Sequence, residues 1–270
     1  MFRAFSGGWG RSATTLVAQK AGRCAMSHPL AQKAIQPQDR TSLAMTRLAF
    51  LLIILALPAR AAELPVLPQD QLADWQAVGR VNTQGYRRVG MCTGTLVAPD
   101  LVLTAAHCLL GPDARPVRAA DLRFVAGWRG GDHAGVAEVA RYDLHPKALQ
   151  GEALSIEHDL ALLHLAAPLD PPPVPLGTVA EPPFALIGYH DHRPHRLSGR
   201  MDCGGGRSHR MLLLGCPVRP GNSGGPVLAR QDGRWQVVGV VSARSDHGTL
   251  VVPLDGWLRG QVMPGAPYPR

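Results

Sequence analysis

The chain has 270 residues, 46% of them hydrophobic and 18% charged, with no repeated or low-complexity tract; this is the make-up of a globular protein with room for one large or two small domains. A formal net charge of +8 would suggest a nucleic-acid or membrane partner, but residues 1–61 alone carry eight Lys/Arg against one acid, leaving 20 basic and 19 acidic side chains in the rest. The remainder is close to neutral, so a basic binding surface is excluded and no nucleic-acid partner is expected.

Residues 1–44 are polar and unpatterned, and are expected to be an unstructured or non-native preface. At Met45-Thr46-Arg47 a short basic start leads into the apolar run 48–57, followed by Pro58-Ala59-Arg60-Ala61-Ala62. A basic start, a short apolar run and small residues at alternate positions predict a secretory signal peptide over 45–62, starting at Met45 and cleaved near Ala61 or Ala62. A membrane-spanning helix needs about 20 apolar residues, so no stable membrane anchor is expected once the signal is removed. The product is expected in a periplasm or outside the cell. Export also bears on the five cysteines. With Cys24 in the removed segment, Cys92, Cys108, Cys203 and Cys216 remain, an even number suited to an oxidising compartment and open to three pairings. A zinc site on the four thiols lacks any Cys-x-x-Cys spacing.

From residue 63 to 77 the chain contains prolines and a short apolar pattern at Leu72 and Trp75, read as extended or a single helical turn without chemistry of its own. Short strands are predicted over 93–97, 101–104, 122–126, 136–139 and 160–165. A proline run at Pro171-Pro172-Pro173 cannot pair within a central strand, and 168–180 is read as a linker. It separates a first part, 63–167, from a second, 181–270. The second part has predicted strands at 184–189, 211–214, 225–228, 235–242 and 250–254, with a hairpin turn at Gln231-Asp232-Gly233 and a short helix capped by Asp255. Many short strands between Gly/Pro/Asp turns, without a long helical period, make an all-β barrel or sandwich.

The chemistry centres on Gly221-Asn222-Ser223-Gly224-Gly225-Pro226. A serine between glycines can sit on a tight turn with its hydroxyl exposed, and the turn can aim the N–H groups of Gly221 and Ser223 at one point, where an oxyanion would be held. Upstream, Thr104-Ala105-Ala106-His107-Cys108 offers a base and His158-Asp159-Leu160 a carboxylate to orient it. A third cluster, His190-Asp191-His192-Arg193-Pro194-His195, contains potential metal ligands but reads as a solvated loop, and no metal or other cofactor is expected.

In their order His, Asp, Ser, the three motifs resemble those of the chymotrypsin-like or trypsin-like serine proteases, over most of the chain from Val78 to Trp257. The resemblance implies two antiparallel six-stranded β-barrels with the active site between them. It implies Ser223 as nucleophile, His107 as the base that takes its proton, and Asp159 as the group that orients the imidazole. It pairs Cys92 with Cys108 and Cys203 with Cys216. Ser242 and Arg244 fall in a segment that lines the substrate cleft in the family, and Pro217 and Val218 lie where a specificity pocket is built. The position that holds a pocket acid in trypsins falls on Pro217, so trypsin-like cleavage after Arg or Lys is not implied. Cys216-Pro217-Val218-Arg219-Pro220-Gly221-Asn222-Ser223 is closer to secreted bacterial members related to glutamyl endopeptidases.

Where digestive relatives carry an aspartate before the serine, this chain has Asn222, which needs no new amino terminus to pair with. The segment before Val78 is therefore expected not to inhibit. The expected protein is a monomeric serine endopeptidase acting on protein or peptide substrates. The alternatives are a catalytically silent binding protein of the same fold, or an esterase.

Overall fold

The computed structural model describes residues 63–85, 88–151, 153–179 and 181–262. The expected preface over 1–44 and signal peptide over 45–62 lie outside the described residues, as do 263–270. Fifteen strands are present among the described residues, with one short α-helix at the end and several 3-10 turns.

The first sheet is a closed antiparallel barrel. Its strands are β1 (Val78–Gly85), β2 (Arg88–Ala98), β3 (Leu101–Thr104), β4 (Leu122–Ala126), β5 (Gly135–Leu144) and β8 (Ala161–Leu165), in the order β1-β2-β3-β8-β5-β4. Two-residue strands β6 (Leu149–Gln150) and β7 (Ala153–Leu154) pair separately. In β4 the alternation of Leu122, Phe124 and Ala126 inward with Arg123 and Val125 half-exposed follows the period of two that a one-sided strand requires. β3 is buried at every residue, which a uniformly apolar Leu-Val-Leu stretch tolerates and an alternating one would not.

The second sheet has seven strands in the order β10-β9-β13-β14-β15-β12-β11. These are β9 (Phe184–Gly188), β10 (Ser198–Cys203), β11 (Gly205–Ser208), β12 (Met211–Leu214), β13 (Pro226–Gln231), β14 (Arg234–Ser245) and β15 (Gly248–Pro253). This corrects the expectation of two six-stranded barrels. The sheet curls, but no ladder joins its edges β10 and β11, which follow one another in the chain on either side of Gly204. The outer edge of β10 is instead covered by the start of the described chain, where Val66 bridges Ser198 and Gly199 donates to the Pro65 carbonyl at 2.8 Å. A paired edge does not template aggregation.

Asp232 and Gly233 form the two-residue turn between β13 and β14, both with positive φ (49° and 77°), as an Asp-Gly hairpin demands. The proline-rich segment crosses between the sheets: Val174 donates to the Leu96 carbonyl of the barrel at 2.9 Å, and Leu176 bridges Val237 of β14. Helix α1 (Gly256–Val262) starts at Asp255, whose carboxylate accepts from the Leu258 N–H at 3.0 Å.

Strands β3 and β8 are antiparallel neighbours with Thr104 opposite Ala161. The end of one therefore lies beside the start of the other, and residues just past Thr104 and just before Ala161 share one rim of the barrel.

Candidate active site

His107 lies in the 3-10 turn Ala106–Leu109 that follows β3, and Asp159 directly follows the turn Ile156–His158 that precedes β8. The shared rim brings them together. Asp159 Oδ2 is 2.6 Å from His107 Nδ1, and Asp159 Oδ1 accepts from the His107 backbone N–H at 2.8 Å. The carboxylate is completely buried. Taking Nδ1 as a donor fixes the tautomer and leaves Nε2, 3.9 Å from Cys108 Sγ, as the acceptor. The turn is fastened by the Cys92–Cys108 disulfide to β2, with Cα atoms 6.1 Å apart. A Cys203–Cys216 disulfide, 5.4 Å between Cα atoms, braces the second sheet.

A third group reaches the same carboxylate from the other sheet. Ser242 donates its hydroxyl to Asp159 Oδ2 at 2.5 Å. It stands on β14 where the pairing with β15 slips between Val241 and Ala243, a bulge that turns its side chain off the regular alternation. The resemblance implied a substrate-cleft segment for Ser242; the contact observed here is with the buried acid.

Ser223 occupies the turn between β12 and β13 and is partly exposed. Its carbonyl accepts from the Thr93 N–H at 2.8 Å, and the Thr93 hydroxyl donates to the Gly221 carbonyl at 2.8 Å, so β2 of the barrel holds the serine turn against the rim. Gly221 (φ 100°) and Gly224 (φ 78°) are in the left-handed region. A Cβ at Gly221 would also sit 2.6 Å from the Met91 methyl, and one at Gly224 would overlap Thr104 Oγ1 and the Thr93 carbonyl, so both positions demand glycine. Along this turn the N–H groups of Asn222, Gly224 and Gly225 donate to the carbonyls of Arg219, Val241 and Asn222. Among the described residues those of Gly221 and Ser223 have no such partner. The Ser223 hydroxyl likewise makes no hydrogen bond among the described residues.

Beside Ser223 lies a cavity of about 300 Å³ lined by Val218, Ser223, Val241, Ser242 and Arg244 among others. A second, of about 410 Å³, is lined by Met91, Cys92, His107 and Cys108 among others. One is lined in part by Ser223 and the other by His107. Pro217 is half-buried just ahead of Val218 and does not line the first cavity.

A family model for the trypsin-like peptidase domain matches residues 92–240. The chain belongs to that family. The matched stretch contains His107, Asp159 and Ser223 and ends before Ser242 and Arg244. Among curated proteins, Serine protease 23 of Homo sapiens is 28% identical over 184 residues, covering 56% of this chain and 48% of that protein. Serine protease 23 of Bos taurus is 29% identical over 183 residues, with the same shares. The chain thus spans about half the length of the curated relatives it matches.

A second grouping of His, Asp and Ser within this trypsin-like domain has a different character. His190 Nε2 is 3.3 Å from Ser198 Oγ and its Nδ1 is 4.0 Å from Asp191. Both His190 and Ser198 are wholly buried, so no peptide reaches them. Burial holds the His190 imidazole below its ordinary pKa. Residues 191–195 form the exposed or half-exposed loop that the sequence suggested, and His190 alone departs from that reading, because Tyr189 and His190 continue the buried run of β9. The three histidines turn to separate partners, His190 to Ser198, His192 to Glu63 and His195 to Trp128.

Asn222 is 1% exposed and fully engaged: its Nδ2 donates to the Tyr189 carbonyl at 2.9 Å and its Oδ1 accepts from the Arg219 N–H at 2.9 Å. Sequence reasoning missed Glu63 and Arg219, which meet behind this turn. No local pattern signals either.

Proposed function

We propose that this protein is a serine endopeptidase that hydrolyses protein or peptide substrates without a cofactor. Ser223 Oγ attacks the scissile carbonyl carbon while His107 Nε2 takes the hydroxyl proton. The carbonyl oxygen becomes an oxyanion held by the N–H groups of Gly221 and Ser223. His107 then gives its proton to the leaving amine as the C–N bond breaks. Water, deprotonated by His107, attacks the acyl-enzyme ester and releases the acid. Asp159 keeps the imidazole in the useful tautomer and stabilises its charged form. The observation that carries this reading is the fully buried Asp159, which accepts from His107 twice and from Ser242 once. The paired disposition of free N–H groups at Gly221 and Ser223 supports it. A fluorophosphonate is expected to label Ser223, and Ser223→Ala to abolish labelling and lower kcat on the order of 10⁶-fold. Undiminished hydrolysis by that variant would overturn the assignment.

For cleavage preference, kinship with the bacterial glutamyl-endopeptidase-like members is the reading that the Pro-Gly-Asn-Ser run favours. Val218 and Val241 give the cavity beside Ser223 an apolar wall, and Arg244 at its margin has no carboxylate partner among the described residues. Profiling on a peptide library is expected to enrich Glu or Asp at the cleaved residue; enrichment of Arg or Lys would overturn it.

The domain reading is a first part over 63–167 and a second over 181–270, with 168–180 as the linker. Export through the signal peptide at 45–62, with a mature start near Ala62 or Glu63, agrees with two disulfides. No helix among the described residues is long and apolar enough to cross a membrane. The mature enzyme is taken to be a monomer.

A further inference from the structure

We propose that Glu63 is a positioning residue for the oxyanion turn, so that the segment 63–67 is a working part of the enzyme. The inference rests on reading Ser223 as the nucleophile with Gly221 as its oxyanion partner, and it starts from the ion pairs behind that turn. Glu63 Oε1 lies 2.8 Å from Arg193 Nη2, and Glu63 Oε2 lies 3.0 Å from His192 Nδ1 and 3.6 Å from Arg219 Nε. Arg219 in turn forks onto Asp191, through Nε to Oδ1 at 2.8 Å and Nη2 to Oδ2 at 3.0 Å. Two carboxylates and two guanidiniums thus form one network, in which removal of one charge unbalances the others.

The network bears on the turn at three points. The Arg219 N–H donates to Asn222 Oδ1 at 2.9 Å, the Arg219 carbonyl accepts from the Asn222 N–H at 3.0 Å, and the Asp191 N–H donates to the Pro220 carbonyl at 2.9 Å. Residues 219–222 are therefore strapped to the 189–193 loop on one side. Gly221, whose free N–H is one oxyanion donor, lies inside the strap. Glu63 itself is held firmly: Leu64 beside it is 1% exposed in the core of the second sheet, and Leu67 donates to the Leu197 carbonyl at 3.0 Å. Its side chain is 25% exposed, so its pairs with Arg193 and Arg219 are only partly screened by water.

An acidic side chain held by its own buried neighbour thus adds a second negative charge to the Arg219–Asp191 fork, and Arg219 holds the turn. Charge and geometry act at the amino-terminal segment, yet the consequence falls on the position where the transition state gathers charge. A change there lowers the chemical step and leaves ground-state binding in place.

The test uses the full chain, with active sites counted by fluorophosphonate titration. Glu63→Gln is expected to lower kcat per titrated site about tenfold with KM within about twofold. The same variant is expected to weaken, by the same factor, a peptide aldehyde whose carbonyl oxygen enters the oxyanion site as Ser223 adds to it. Arg193→Gln, which breaks the network from the exposed side, is expected to show the same split. Wild-type kcat per site and wild-type aldehyde affinity in both variants would overturn the proposal. So would a loss confined to the titratable fraction and the melting temperature, which is what a merely structural role produces. Hydrolysis by Ser223→Ala would bring down the underlying reading, whereas an inactive Ser223→Ala beside an unaffected Glu63→Gln would bring down this inference alone.

Discussion

At Asn222 a single amide decides how the turn carrying Ser223 is held. Its two ends have opposite needs, one donating to the Tyr189 carbonyl and the other accepting from the Arg219 N–H, and only an amide meets both. Asn222→Asp would point a buried carboxylate oxygen at a carbonyl oxygen, and is expected to cost at least about 2 kcal/mol. Urea unfolding checks this, and an unchanged midpoint would sink the account. Ser242 is the counterpart on the acid's side. Its hydrogen bond to the Asp159 carboxylate is charge-assisted, of a kind whose loss costs about 1.5 to 3 kcal/mol. Ser242→Ala is therefore expected to lower kcat roughly tenfold or more, and a wild-type rate would remove Ser242 from the machinery.

Elements meet most consequentially at His145, just past the end of β5. It is 6% exposed, and it faces Asp255 at the start of α1, Trp257 on α1, His158 in the turn before Asp159, and Lys147. Its Nδ1 accepts from the Lys147 N–H at 3.1 Å, which places the ring proton on Nε2, 2.8 Å from Asp255 Oδ2. The neutral ring is thus fully satisfied, and burial holds its pKa below the ordinary value against the opposing pull of Asp255. The unfolded chain, with an ordinary pKa of about 6.5, binds a proton that the folded chain does not. The stability that the neutral ring supplies is complete above that pH and is lost as pH falls through it toward the lower folded value. Denaturant midpoints measured from pH 7.5 down to 5 are expected to fall less steeply in His145→Gln than in the wild type. Equal slopes would show that His145 is not the group responsible. The same scale shows where strand patterns were legible. β3, β4 and β12 fall where the runs 101–104, 122–126 and 211–214 put them, because their apolar side chains alone carry the pattern. β10 and β11, built from Ser-Gly-Arg-Met-Asp-Cys and Gly-Gly-Arg-Ser, were not legible: their pairing comes from neighbouring strands and from no hydrophobic period of their own.

For the whole molecule, residues 63–77 are structural. Leu64, Leu67 and Trp75 are buried, and Trp75 meets Trp235 of β14 with ring centroids 6.5 Å apart. Trimming the chain to Val78 is expected to lower the melting temperature, at about 1.5 to 3 kcal/mol for each large side chain removed, without raising the rate per active site. A rate that rises a hundredfold on trimming would mean that the segment inhibits. Sequence alone determined the all-β class, the four cysteines at 92, 108, 203 and 216, and the three motifs at His107, Asp159 and Ser223, since each is written in neighbouring residues. The tertiary structure decided what those motifs touch. Ser242 meets Asp159 across 83 positions of chain and Thr93 meets Gly221 across 128, and Ser242 does so only because a bulge in β14 redirects it. Glu63 meets Arg193 and Arg219 in the same way, through a segment whose own residues announce no chemistry. Local patterns fix which face a side chain takes; contacts between distant segments depend on register, bulges and the closing of sheets, which no short window of sequence contains.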